Sequence, residues 1–169
     1  MPTLFGADDY YRAGIERMQQ ARQLFDDGES YALSMYCSGL AVECVLRAFR
    51  WLHIRTFDGR HDLRELFKVS RFIQIATETF QDCGYAEEHN VSESLRIHAA
   101  MTEVDALWMN NLRFVSESKL KRYLFELGRL HGIKGDGNKR VALSLLIAAH
   151  VIVDQGALVW SLRKKSKPR

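Results

Sequence analysis

Between Tyr31 and Leu52 the chain reads YALSMYCSGLAVECVLRAFRWL, which as a helix is apolar around nearly its whole circumference. A helix that is wet on no side lies inside a bundle, so this stretch predicts a central helix covered by others. It nevertheless carries one acid and one base four residues apart, Glu43 and Arg47, in the favourable acid-first order. Unpaired charges in so dry a place cost several kcal/mol, so the two pair with each other, reach another helix, or line a polar cavity. About nine residues further on, His61-Asp62-Leu63 opens another amphipathic run. A buried charged helix feeding into a His-led one suggests a site between helices.

The only prolines are Pro2 and Pro168, which leaves the interior of a 169-residue chain free of the strongest helix breaker. Alternation at period two never persists, so the reading is all-α, with about six helices and no strand. The length is right for one domain, which we place at residues 1–162, and 47% hydrophobic against 27% charged residues argues for a globular chain over a disordered one. Five of the last seven residues are basic, Arg163, Lys164, Lys165, Lys167 and Arg169; without them 19 basic face 21 acidic residues, so the net charge of +3 is a property of a tail at 163–169. Such a tail adds phosphate affinity or simply solubilises the chain end. Glu43 and Arg47, and later His150 and Asp154, interrupt the most apolar windows, so a membrane partner is not expected. The first residues show neither a basic start nor an apolar core of a secretory signal, so the expected location is cytoplasmic. Cys37, Cys44 and Cys83, without a Cys-x-x-Cys spacing, read as reduced core thiols.

The helices are expected at about Asp8–Asp27, Ser30–Leu52, His61–Phe80, Val91–Asn110, from Ser116 or Ser118 to before Gly132, and Asn138–Gln155 with Gly156 as its C-cap. The fourth carries Leu95, His98, Thr102, Asp105 and Met109 along one line, with Leu107 and Trp108 beside it. His61 stands where the third helix begins, as a cap or as a general acid or base, and Asp62 suits the positive end of that helix. Arg113, close to the end of the fourth helix, is favoured there by the helix dipole alone.

These residues resemble a family. The run YYRAGIERMQQARQLFDDGESYALSMYCSGLAVECVLRAFRWL followed by HDLRELF is similar to the HEPN domain (higher eukaryotes and prokaryotes nucleotide-binding). Ala41, Glu43, Leu46, Arg47 and Ala48 occupy its Ala-x-Glu-x-x-Leu-(Lys/Arg)-Ala helix, His61, Asp62, Leu63 and Leu66 its His-Asp-Leu-x-x-Leu helix, and Tyr31 the end of the gap before them. LWMNNLRF and the last apolar helix extend the resemblance over most of residues 10 to 160. It implies an up-and-down bundle of five to six helices, usually a homodimer, that handles nucleotides or RNA, in some members beside a nucleotidyltransferase partner. Catalytic members are metal-independent ribonucleases, some in toxin–antitoxin or defence systems, whose signature is an Arg with a His four to six residues after it. Arg113 is followed by Phe114 and has no such His; Arg47 to His53 and Arg55 to His61 match only by count, early in the fold and without a following Asn.

A second segment, His131-Gly132-Ile133-Lys134-Gly135-Asp136-Gly137-Asn138-Lys139-Arg140, is similar to the Fic/Doc motif H-x-F-x-(D/E)-G-N-(G/K)-R, which implies nucleotidyl or phosphoryl transfer with phosphates on a helix N-terminus. Here one extra residue separates His131 from Asp136, and Ile133 replaces Phe. The alternative is a Gly-rich turn between two helices.

The sequence therefore reads as an all-α HEPN-like domain that binds nucleotide, RNA or a partner protein, without catalysis, cofactor or metal. Its ligand-binding candidates are Glu43, Arg47, His61, Asp62 and Arg113, with Arg47 and Arg113 for phosphate, His61 for base or ribose, and Glu43 and Asp62 for orientation. Catalytic residues are not assigned. His131, Asp136, Asn138 and Arg140 form the alternative phosphate site, and a ribonuclease or a Fic/Doc-like transferase the alternative activities.

Overall fold

A computed structural model describes residues 5–56 and 61–166. Phe57 to Arg60 of the expected loop, and Lys167 to Arg169 of the expected tail, lie outside the described residues. Those described form α1 (Ala7–Asp27), α2 (Tyr31–Trp51), α3 (Leu63–Ser70), α4 (Phe72–Asp82), α5 (Glu87–Leu107), a 3-10 turn (Asn110–Phe114), α6 (Glu117–Glu126) and α7 (Gly137–Ser166), and no strand.

Four long helices, α1, α2, α5 and α7, alternate in direction and make a helical bundle around α2. Val45 of α2 occupies a notch between two glycines: a Cβ on Gly14 of α1 would lie 2.7 Å from Val45 Cγ2, and one on Gly156 of α7 would lie 2.6 Å from Cγ1. Absent side chains at these two points let three helix backbones close on one another. Next to the notch, rings link four helices: Tyr11 stacks on Trp160 at 5.1 Å, Trp160 meets Phe49 edge-on at 5.4 Å, and Phe49 meets Phe72 at 4.7 Å. Asp8 Oδ1 ties the far end of α7 to α1 by accepting from Lys164 Nζ at 2.6 Å and Trp160 Nε1 at 3.2 Å. The Lys164 hydrogen bond holds the Asp8 carboxyl below the usual carboxylate range.

Several boundaries differ from expectation: α5 is Glu87–Leu107 in place of Val91–Asn110, α6 stops at Glu126, and three further differences have physical reasons. The expected helix His61–Phe80 is two helices, because Leu63, Leu66 and Ser70 are buried on one phase and Phe72, Ile75, Ala76 and Thr79 on another. Arg71 resets the phase with φ of 54°, and Ser70 Oγ accepts from the Phe72 N–H at 3.2 Å. Gly156 does not cap the last helix; it lies inside α7, which continues to Ser166 and takes in Arg163, Lys164 and Lys165. The α3 N-cap is Asp62, whose Oδ1 accepts from the Glu65 N–H at 2.9 Å, and His61 stands outside the helix. Of the two serines before α6, Ser116 is the cap. All three thiols are free; Cys83 is exposed, while Cys37 and Cys44 are partly buried, and burial pushes the Cys44 thiol up to about 11.

An alanine in place of a helix-interior glycine ordinarily stabilises by about 0.5–1 kcal/mol. At Gly156 the packing reverses that sign: Gly156→Ala is expected to lose about 1–3 kcal/mol in urea unfolding, the cost of an overfilled core.

Candidate functional site

Glu43 and Arg47 pair inside the bundle. Arg47 Nε donates to Glu43 Oε1 at 2.9 Å and its Nη2 lies 2.8 Å from the same oxygen, with both side chains under 10% exposed (8% and 4%). Glu43 also reaches the next element: His61 Nδ1 lies 2.9 Å from Oε2 and 3.1 Å from Oε1. An ionised carboxylate only accepts, so Nδ1 carries the proton and donates, which turns Nε2 away from Glu43. The His61 side chain is 43% exposed. One buried carboxylate thus joins a buried guanidinium to an accessible imidazole.

His61 borders an open cleft of about 520 Å³, lined also by Asp62, Leu63, Asp105, Trp108, Met109 and Asn110. α3 supplies one wall, and the end of α5 with the start of the 3-10 turn supplies the other. The second wall is positioned by Trp108, whose indole N–H donates to the Tyr36 carbonyl at 3.1 Å. Its ring lies so close to α2 that a Cβ on Gly39 would fall 2.0 Å from Trp108 Cδ1. Beyond Asp105 the cleft meets a smaller one of about 270 Å³ between Arg64 and Phe67 of α3 and His98, Met101 and Thr102 of α5. Arg64 Nη2 donates to Asp105 Oδ2 at 2.5 Å across the join.

The expected candidates fall into three groups. Glu43, Arg47, His61 and Asp62 come together, but Arg47 is buried against Glu43 and supports the carboxylate from behind the cleft. Arg113 stands apart, exposed in the 3-10 turn with its guanidinium 4.7 Å from the Phe114 ring centre. The alternative phosphate residues lie at the start of α7. Asp136 Oδ1 accepts from the Lys139 N–H at 3.1 Å. Asn138 is buried and donates to Glu117, at 2.9 Å to the carbonyl and 3.2 Å to Oε2. Glu117 Oε1 in turn accepts from the Ala32 N–H at 2.9 Å, so Asn138 helps to join three helix N-termini and its amide nitrogen is not turned to a ligand. His131 and Arg140 are exposed, and no hydrogen bond or ion pair links His131 to Asp136 or Arg140 among the described residues.

The model of the HEPN domain family matches residues 7–106, more than half the chain. The chain belongs to the HEPN family. No curated protein and no solved structure matches it. The HEPN match takes in α1 to nearly the end of α5, hence Glu43, Arg47, His61, Asp62 and Asp105, and stops just before Trp108, Met109 and Asn110. Asp105, Trp108, Met109 and Asn110 were not among the expected site residues. The expected line of His98, Thr102, Asp105 and Met109 was the available signal: all four border the joined clefts, although Met109 lies just past the end of α5.

Removing one partner of a buried pair strands the other, whereas a half-exposed partner contributes little. Glu43→Gln is therefore expected to cost about 3–5 kcal/mol in urea unfolding, and His61→Ala no more than about 1 kcal/mol.

Proposed function

We propose that this HEPN domain is a binding module that takes a nucleotide, or a nucleotide of an RNA, in the His61 cleft. The observation that carries the reading is the accessible imidazole held by its Nδ1–H on buried Glu43. A ring anchored on one nitrogen presents the other in a fixed direction without losing side-chain freedom on binding. Glu43 and Arg47 are its support, Leu63 and Met109 give apolar surface for a base, and Asp62 faces the same space. The volume lies within the range of small-molecule sites.

A ribonuclease is the second reading, favoured by the same dyad, because a carboxylate that orients imidazole is an arrangement that serves a general base. RNA loss in EDTA that disappears in His61→Ala would establish it.

The partner in this proposal is a second copy. α7 leaves Leu143 and Ile147 exposed at 40% and 57% along a trough. Arg22, Arg96 and Asp154 border the same trough, so a two-fold axis can set a cation of one copy against the acid of the other. Ile147→Glu is expected to convert a dimer to a monomer in light scattering without loss of helical content.

The binding test is a thermal shift across ATP, GTP, AMP and short RNA, with and without Mg²⁺. A ligand at about 100 times its Kd should stabilise the native state by roughly 2.7 kcal/mol. The shift should vanish in His61→Ala while that variant unfolds cooperatively near the wild-type midpoint. No shift with any of these ligands would overturn the reading.

A further inference from the structure

Among the described residues, the side-chain polar atoms of the His61 cleft are mostly acceptors. With Nδ1–H donated to Glu43, Nε2 of His61 is turned away from Glu43 and accepts when the ring is neutral. Asp62 uses Oδ1 to cap α3 and keeps Oδ2 for the cleft. Asp105 gives Oδ2 to Arg64 and keeps Oδ1. Asn110 Oδ1 is buried with no partner among the described residues. The neighbouring side-chain donors have carboxylate or carbonyl partners: the Trp108 indole N–H on Tyr36, Arg47 Nε on Glu43, and Arg64 Nη2 on Asp105. Among the described side chains on the walls, the Asn110 amide nitrogen is a further donor.

A phosphate placed here would face the carboxylates of Asp62 and Asp105, with Arg64 already held on the second of them. Like charges at close range in a partly enclosed site repel more strongly than in water. Hydroxyl and amino groups meet the opposite situation, because each finds an acceptor that already has one partner or none. We infer that the cleft is a nucleoside pocket: it takes the ribose hydroxyls and base amino groups of its ligand, with the ring against Leu63 and Met109, and leaves the phosphate outside. This rests on the nucleotide reading of the same cleft and goes beyond it in naming which end of the ligand enters.

The test is calorimetric titration of the full chain with adenosine, guanosine, cytidine and uridine and with their 5′-monophosphates and 5′-triphosphates. At least one nucleoside should bind, its monophosphate within about threefold of it and its triphosphate about tenfold or more weaker. Asp62→Asn keeps a capping side chain and removes one charge. It should therefore narrow the ratio of triphosphate to nucleoside dissociation constants by several-fold, since the lost charge bears on the phosphate while the lost acceptor weakens both ligands alike. Affinity that rises with each added phosphate overturns the nucleoside pocket and leaves the nucleotide reading standing. No binding by any of the twelve compounds, or their displacement by an arginine-rich peptide that binds the cleft more tightly, overturns both.

Discussion

The bundle depends on the fit of Val45 between Gly14 and Gly156. α2 is buried because α1 and α7 approach it at these two points more closely than side chains would allow, and that approach brings Phe49 under Trp160 and Phe72. Close backbone packing on two sides removes water from α2 along most of its length, so its charged residues must be answered from within. Glu43 is answered by Arg47 below and by His61 above. The ion pair at the heart of the site is thus a consequence of the helix packing, and the accessible imidazole is its outlet to solvent.

Another face of α2 makes a second use of a missing side chain. Gly39 lets the Trp108 ring lie on the helix, and Trp108 fixes where α5 ends and the 3-10 turn begins. The cleft has one wall placed by Glu43 through His61 and the other placed by Gly39 through Trp108. Both walls are therefore referenced to the most buried helix, which is the element least able to shift. The family match covers the first wall and ends at the threshold of the second, so Trp108, Met109 and Asn110 belong to the part of the cleft for which this chain's own geometry is the guide.

Reading the sequence against the fold shows where each kind of information resides. The α2 run, the end of α1 at Asp27 and the Glu43–Arg47 pair were legible because they depend on neighbours within one or two helical turns. The break at Arg71 was not, since Leu63 to Ile75 has apolar residues frequent enough to pass for one stripe, and the change of phase matters only when two different helices must be met. Gly156 was read as a stop because an isolated helix has no use for glycine in its interior; its reason lies in Val45, more than a hundred residues away in sequence. Asn138 invited a phosphate-loop reading by its neighbours in sequence, while its amide is committed to Glu117 across the bundle.

The sequence by itself determined the all-α class, the buried central helix, the acid and base within it and the family, because hydrophobic period, capping and i to i+4 spacing are local quantities. Tertiary structure alone decided that His61 would close on Glu43, that Arg47 would stand behind the cleft, that Arg113 would lie outside it, and that Asp105, Trp108 and Asn110 would line it. Those outcomes turn on which faces of distant helices meet, and that is set by a few contacts in which glycine permits an approach that any side chain would prevent.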